Sequence, residues 1–268
     1  MRSPAPEAAP ATDEPVQAFA TEGIKPMSRP GLAVRWLMAV VAWAERLNLR
    51  CSKVGNPAIY DTSLFPWVPE IEREWRMMRD ELDRVLLRKH ELPNIQAISP
   101  DADAITQDAG WKTFVFVGYA LRSERNIRAC PETWRIVQKI PGLKTAMFSI
   151  FEPGKRLPPH RGAYNGVLRL HLGLLVPERR DKVAIRFGPE VRHWDEGRVL
   201  IFDDAYEHEA WNEAQSHRVV LFVDFVKPLR FPANIVNRVL LGLARFTPFM
   251  REAYENQRQW ERRFYGPG

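Results

Sequence analysis

The sequence predicts a mainly β fold, a sandwich or jelly roll with helices on its N- and C-terminal flanks. Two observations support this fold class. Short apolar strands follow one another through the middle of the chain, and turn sequences such as Pro153-Gly154 separate them. The predicted strands cover residues 111–119, 145–151, 166–176, 183–187, 198–202 and 218–226. With 268 residues, 45% of them hydrophobic, the chain can bury one large core.

Composition divides the chain into four parts. The first part is rich in proline and poor in apolar residues, which predicts disorder. The second contains the apolar run 36–44, which is too short to span a bilayer and predicts an amphipathic helix on the core or at a membrane interface. The predicted parts are a disordered segment at 1–30, an apolar segment at 31–58, the main domain at 59–230 with its β-core at 111–228, and a helical extension at 231–268.

Three helices are predicted outside these strands. Apolar residues recur every three or four positions over 65–90, and a shorter helix over 131–140 has Pro131 near its start. A third helix over 234–246 is amphipathic, and Pro248 interrupts it before a polar segment that ends at Phe264. This terminal helix either packs on the β-core or, through its arginines, lies on an anionic membrane.

The charge of the chain favours acidic partners. A net charge of +6 suits an anionic membrane surface, a phosphorylated lipid or nucleic acid. No helix-turn-helix, zinc-finger or stacking pattern appears, so nucleic acid is not an expected partner.

Only Cys51 and Cys130 are present, so no disulfide framework is implied. These features predict a cytoplasmic location, with peripheral contact at the inner face of the cytoplasmic membrane left open.

Two histidines are candidate metal ligands. His160 follows a double proline, and His208 follows the short strand 198–202 and a carboxylate-rich turn. Neutral imidazole binds Fe, Zn, Cu and Ni, and a site built from distant segments needs each ligand at the end of a rigid element. Each histidine taken alone could equally be a surface or supporting residue.

Two arginines lie inside apolar strands, where an unpaired guanidinium is costly to bury. Period-two alternation places Arg169 and His171 on one face of their strand and leucines on the other. Arg218 precedes the continuous apolar run 219–223. These residues predict an anion site, most simply for a carboxylate held by arginine. Arg169 could instead lie on a solvated outer face.

Together these residues resemble the aspartyl/asparaginyl β-hydroxylases, which are Fe(II)- and 2-oxoglutarate-dependent dioxygenases. The resemblance covers about 111–228. The elements that match are Trp111, Ser149, Pro153-Gly154, His160-x-Gly162, Arg169-Leu170-His171, Glu207-His208-Glu209-x-Trp211 and Arg218. It implies a double-stranded β-helix fold, with Fe(II), 2-oxoglutarate and O2 at the mouth of the barrel.

The resemblance also implies a role for each site residue. His160 and His208 would hold the iron. Arg218 with Ser149 would bind the distal carboxylate of 2-oxoglutarate, and Arg169 with His171 the end that chelates the metal. Trp111 would line the cosubstrate pocket.

Gly162 stands where most such dioxygenases carry the third metal ligand, a carboxylate two residues after the first histidine. The family that the chain resembles also has glycine there and leaves this position to water. Asp203, Asp204 and Glu207 are all candidates to approach the metal through that water. A zinc site remains an alternative, although two histidines are few for zinc. If water fills the position, Gly162→Asp should still bind iron.

The expected activity is hydroxylation of an unactivated C–H bond. The residues 60–67 and the basic C-terminal tail resemble the bacterial lipid A hydroxylases of this family, so an acyl chain of lipid A is the first expected substrate. Hydroxylation of Asp or Asn in a peptide or protein is the second. A non-catalytic, cupin-like protein that binds a dicarboxylate through the same arginines is an alternative of another class.

Overall fold

The fold is built from eleven strands and eight helices among residues 31–119, 121–244 and 246–266, which a computed structural model describes. The helices are Leu32–Cys51 (α1), Val68–Arg73 (α2), Trp75–Leu86 (α3), Ile95–Ile98 (α4), Glu124–Ala129 (α5), Pro131–Val137 (α6), Ala233–Ala244 (α7) and Pro248–Tyr265 (α8). The strands are Ile59–Tyr60 (β1), Trp111–Gly118 (β2), Leu121–Arg122 (β3), Leu143–Phe151 (β4), Lys155–His160 (β5), Val167–Leu175 (β6), Val183–Phe187 (β7), Glu190–Arg192 (β8), Val199–Phe202 (β9), His208–Asn212 (β10) and Arg218–Val226 (β11). The segment 1–30, predicted to be disordered, lies outside the described residues.

The strands form two antiparallel sheets. The larger sheet has the order β1-β9-β6-β11-β4-β2-β3, and the smaller has the order β5-β10-β7-β8. Consecutive strands from β4 to β7 alternate between the two sheets, and so do consecutive strands from β8 to β11. This alternation is the double-stranded β-helix, so the predicted mainly β jelly roll with flanking helices is confirmed.

The two units of the chain are a short one that ends at Met38 and a large one from Ala39 to Gly268. In the short unit, the apolar side chains of Leu32 and Trp36 are exposed, and in the large unit α1 buries Ala44 and Asn48. No helix in the described ranges is long and apolar enough to cross a bilayer.

The centre of the large sheet is the core of the protein. β11 pairs with β4 on one side and β6 on the other, and eight of its nine residues are buried. In β6 the alternation puts four fully buried leucines on one face, and α3 packs against this strand. The opposite face of β6 carries Arg169 and His171, so the polar site residues project from the most rigid part of the sheet.

The helix predicted over 65–90 is in fact two helices, α2 and α3. They are separated at Glu74, whose backbone (φ −93°, ψ 4°) lies outside the helical region. The buried positions Ile71, Met78 and Leu82 keep helical spacing on both sides of the break. The apolar pattern therefore continues through the break and could not reveal it.

The polar segment after Pro248 lies within the helical extension predicted for 231–268. It is an 18-residue helix, α8, whose N-cap Thr247 accepts a hydrogen bond from the backbone of Met250. Its buried residues recur at helical spacing, at Ala253, Gln257, Trp260 and Phe264. The Trp260 indole donates to the carbonyl of Glu91 at 2.9 Å. Its ring centroid lies 6.1 Å from that of Phe114 in β2, so α8 packs on the barrel.

Candidate active site

His160 and His208 lie side by side in the small sheet. His160 ends β5 and His208 begins β10, and the two residues are direct partners in the antiparallel ladder. Their ring centroids are 4.3 Å apart. The structure therefore brings together two residues that are 48 positions apart in the sequence, as the predicted metal site requires.

Both imidazoles have the same local hydrogen bond. The Nδ1 atom of each donates to the carbonyl oxygen two residues earlier, at 2.8 Å in both cases, to Pro158 for His160 and to Tyr206 for His208. A carbonyl can only accept, so each Nδ1 carries a proton, and in the neutral form of such a ring Nε2 keeps its lone pair. Burial lowers the pKa of His208 to about 4, which keeps that ring neutral. Neutral rings with free Nε2 atoms are the form in which histidine binds a metal.

Asp204 is the carboxylate beside this pair. Its Oδ1 lies 3.3 Å from Nε2 of His208 and also accepts from Nη1 of Arg169. The other two candidates are elsewhere, because Asp203 forms a buried ion pair with Lys227 at 2.9 Å and Glu207 is exposed. Of the three carboxylates that the sequence left open, Asp204 is the one that approaches the histidines.

Gly162 and Asp204 compete for the same space. The Gly162 amide donates to the Asp204 carbonyl at 2.7 Å, and a Cβ on Gly162 would overlap Oδ2 of Asp204 and lie 2.7 Å from its Cγ. The expectation that Gly162→Asp still binds iron stays a prediction, and a side chain here must displace the Asp204 carboxylate. The Asp204 carboxylate therefore occupies the space that a carboxylate side chain at position 162 would take as the third metal ligand.

The donor set fits a metal with several open coordination positions. Within the described ranges no cluster of three His, Cys, Asp or Glu side chains is arranged to hold an ion. Two neutral imidazoles alone are few for zinc, which usually takes three or four protein ligands. They fit iron that leaves positions for water and a chelating cosubstrate.

Arg169 is paired with the protein's own carboxylates. Its Nε donates to Oδ1 of Asp224 at 2.8 Å, and Nη1 contacts Asp204. Burial lowers the pKa of Arg169, but the charges of Asp204 and Asp224 outweigh that effect and the pKa is raised overall. The anion expected beside Arg169 is thus present within the chain. The contact of Arg169 with the cosubstrate stays a prediction.

Arg218 is a buried cation without such a partner. Its side chain is 1% exposed, and among the described residues its Nε and Nη1 atoms have no hydrogen-bond acceptor. The guanidinium carbon lies 3.7 Å from the ring centre of Phe151 and 4.4 Å from that of Trp194. Burial lowers its pKa to about 9. An anion placed here would compensate the guanidinium.

His171 offers a second unused donor near Arg218. The Trp194 indole donates to Nδ1 of His171 at 3.3 Å, so the proton of the neutral ring is on Nε2, which is buried and has no partner in the described chain. Burial, followed by the charge of Arg218, holds the His171 pKa well below its ordinary value. The neutral ring therefore presents an N–H group.

Ser149 and Trp111 complete the same side of the large sheet. The Trp111 indole donates to Oγ of Ser149 at 3.0 Å, which leaves the serine hydroxyl proton available to a ligand. In the ladder Ser149 faces Val220, two residues from Arg218 on the same face of β11. The predicted cosubstrate residues are thus neighbours, and together they form a cradle of donors.

The family model of the aspartyl/asparaginyl beta-hydroxylases matches residues 72–228 of this sequence, which is more than half of the chain. The chain belongs to the aspartyl/asparaginyl beta-hydroxylase family. Two relatives extend this finding. The chain is 59% identical over 264 residues to a Rhizobium tropici protein named ornithine lipid ester-linked acyl 2-hydroxylase, which covers 98% of this chain and 91% of the relative. It is 34% identical over 173 residues to human aspartyl/asparaginyl beta-hydroxylase, and this alignment covers 63% of this chain and 22% of the human protein.

Solved structures resemble this chain more distantly. The cupin domain of Cnp3 from Schizosaccharomyces pombe aligns with a TM-score of 0.30 and 10% identity, over 46% of this chain and 70% of that domain. This likeness is too weak to add to what the strand order already shows.

Three residues of this beta-hydroxylase site are absent from the sequence-based prediction. Trp194 stacks on Arg218 and fixes the His171 ring, Asp224 holds Arg169, and the hydroxyl of Thr113 is buried without a partner in the described chain, opposite Ser149 in the ladder. Asp224 had a signal, because a carboxylate inside an apolar strand needs a cation. Trp194 lies in a polar segment, and nothing in its spacing marks it.

We expect Gly162→Asp to weaken iron binding by roughly 10–100-fold, the usual effect of disturbing a group beside a metal ligand. The new side chain would displace the Asp204 carboxylate from its place beside His208. The double variant Gly162→Asp/Asp204→Gly removes the overlap and should recover part of the affinity, measured anaerobically by titration calorimetry.

The matched control is Gly118→Asp, because a Cβ on Gly118 meets no atom within 4 Å. It should bind iron as the wild type does. Equal affinity in Gly162→Asp and in the wild type would show that Asp204 moves aside without consequence.

Proposed function

We propose that this protein is an Fe(II)- and 2-oxoglutarate-dependent dioxygenase that hydroxylates C2 of an ester-linked acyl chain of an ornithine lipid. One observation carries the reaction class: a buried, unpaired cation, Arg218, lies in the same interior as two adjacent histidines whose Nδ1 atoms are each bonded to a backbone carbonyl. A metal site beside an uncompensated anion site suits a cosubstrate that both chelates iron and carries a distal carboxylate.

Each side chain has a distinct task in this proposal. His160 and His208 would hold the iron, and Asp204 would accept a hydrogen bond from water at the metal. Arg218 and the hydroxyl of Ser149 would bind the distal carboxylate of 2-oxoglutarate, and the Nε2–H of His171 would donate to the chelating end. Bound iron with its cosubstrate supplies the activation of O2 and the hydrogen abstraction.

The supporting residues keep these groups in place. Trp111 orients the Ser149 hydroxyl, and Trp194 fixes the tautomer of His171 and covers the guanidinium of Arg218. Arg169 is fixed by Asp224 and in turn holds Asp204, so a charge-assisted chain leads from β11 to the histidines. Preorganised donors of this kind lose little free energy to reorganisation when a ligand binds.

The acyl-lipid substrate is supported by similarity over the whole chain. The Rhizobium tropici relative, named for an ornithine lipid, is similar over 98% of this chain, which includes the terminal helices. The human relative, named for aspartyl and asparaginyl residues, is similar over 63%. Lipid A, the acyl lipid predicted from the sequence, and an Asp- or Asn-containing peptide are therefore comparison substrates in the test.

The test uses the purified full chain with Fe(II), 2-oxoglutarate and O2, and one of three substrates: detergent-dispersed ornithine lipid, lipid A, or an Asp/Asn peptide. Mass spectrometry of the acyl chains should show one added oxygen on the ornithine lipid, with stoichiometric succinate. Oxygen added to lipid A or to the peptide instead would overturn the substrate. Absence of succinate with every substrate would favour the dicarboxylate-binding alternative.

A further inference from the structure

The exposed side of α7 is an apolar stripe. Four large apolar side chains, each four residues after the last, lie along one line from the turn before the helix to its last turn, with 49–79% of each exposed. The opposite side of the helix is buried at Ala233, Asn237 and Leu241. We name the stripe the α7 face: Phe231, Ile235, Val239 and Leu243.

The chain segment that contains the α7 face carries one sign of charge. From residue 228 to residue 251 the sequence contains no Asp or Glu and four arginines. Arg230, Arg238 and Arg251 are exposed, and their guanidinium groups make no ion pair with any carboxylate in the described ranges. By contrast, the exposed Arg156 of β5 pairs with Glu213.

An apolar stripe in a segment whose charged residues are all arginines suits the surface of an anionic bilayer better than a second copy of the chain or a nucleic acid. A second copy of the chain would bring the same positive charges together, and that contact would be repulsive. Nucleic acid would use the arginines but would leave the apolar stripe in water. The surface of a bilayer with anionic phospholipids accepts both, because acyl chains cover the apolar side chains and phosphates pair with the arginines.

We propose that the α7 face is the docking surface for an anionic phospholipid bilayer. This inference rests on the proposed function, because it names the surface through which an enzyme with a lipid substrate reaches its membrane. The helix would lie in the plane of the interface, with Phe231 and the three aliphatic side chains among the acyl chains.

The buried side of α7 is joined to the active-site loop. Asn237 donates from Nδ2 to the carbonyl of Gly166 at 2.8 Å, and the backbone of Lys227 donates to the same carbonyl at 3.1 Å. Gly166 ends the loop 161–166 that leads from His160 to β6. From α1, the Asn48 amide donates to Asn165 in that loop at 3.0 Å. Docking of α7 would therefore hold the loop after the first histidine close to the membrane.

Vesicle flotation tests the proposal. The full chain is mixed with phosphatidylcholine vesicles with or without phosphatidylglycerol, at low and high salt. The wild type should float with the anionic vesicles, and less of it at high salt. The triple variant Ile235→Gln/Val239→Gln/Leu243→Gln should lose roughly tenfold or more in partitioning, because three side chains no longer enter the acyl region. Arg230→Gln/Arg238→Gln should lose roughly tenfold and much of the salt dependence.

Two control variants carry matched changes elsewhere. Leu87→Gln removes an apolar side chain that is 81% exposed at the end of α3, and Arg128→Gln removes an exposed arginine of α5. Both should float as the wild type does. Circular dichroism and thermal melting confirm that each variant is folded.

The outcomes separate docking from catalysis. Equal flotation of the triple variant and the wild type would overturn the proposal, as would a wild type that stays unbound from anionic vesicles at low salt. Loss of flotation with full hydroxylation of detergent-dispersed lipid supports it. A wild type that floats through the α7 face but oxidises no lipid would retain the docking surface and remove the proposed substrate.

Discussion

His208→Ala should abolish iron binding and hydroxylation together, and His160→Ala should do the same. The two rings are the pair whose Nε2 atoms remain free for a metal while Nδ1 is bonded to a backbone carbonyl. Loss of one of two protein ligands should exceed the 10–100-fold effect that is typical of losing an outer partner of a ligand. Anaerobic iron titration and succinate release measure the two effects separately.

The control for the histidine variants is His193→Ala. The Nδ1 atom of His193 also bonds to a backbone carbonyl, that of Val183 at 3.0 Å, but its ring takes no part in the histidine pair. This variant should retain both iron and activity. Turnover in His208→Ala at the wild-type rate would remove the metal assignment.

Arg218→Met should change cosubstrate binding and stability in opposite directions. Without the guanidinium, 2-oxoglutarate loses a charge-assisted pair, which should cost about 2–5 kcal/mol and raise the KM for 2-oxoglutarate. The ligand-free protein should melt at a higher temperature, because a buried cation with two nitrogen atoms that lack acceptors is replaced by an apolar side chain of similar length. Thermal melting with and without 2-oxoglutarate, together with KM, tests both parts.

Arg169→Met is the matched comparison, since the two arginines lie in adjacent strands and differ in their partners. It leaves Asp224 and Asp204 buried without their cation, so the ligand-free protein should be destabilised by about 3–5 kcal/mol. If Arg218→Met has an unchanged KM or is destabilised like Arg169→Met, the role of Arg218 as the anion site is wrong.

The sequence predicted the strands whose signal is apolar and missed those whose residues are polar. β4, β6, β7, β9 and β11 lie close to their predicted bounds because each is a buried apolar run. β5 and β10 were not predicted, since β5 contains two prolines and β10 is the polar sequence His-Glu-Ala-Trp-Asn. These two strands carry the histidine pair, so the local pattern is weakest where the site is built.

The sequence indicated which residues lie at the candidate site, but it did not indicate which of them pair with one another. All seven predicted site residues lie in the interior or at the mouth of the barrel, which a resemblance in spacing could anticipate. Which cation already has a carboxylate could not be read from the chain, because Arg169 and Asp224 are 55 residues apart and meet only through the register of β6 and β11. That register makes Arg218 the unpaired one.

The position of β5 links metal binding to the integrity of the sheet. β5 is the outermost strand of the small sheet, it pairs with β10, and two of its six residues are prolines without an N–H group. A metal held by His160 and His208 would link β5 to β10 across this ladder. By linkage, a metal that binds only the paired ladder would stabilise β5 against fraying, and fraying of β5 would release the metal. The bound ion would thereby keep β5 over the edge of β10, which could otherwise pair with another chain.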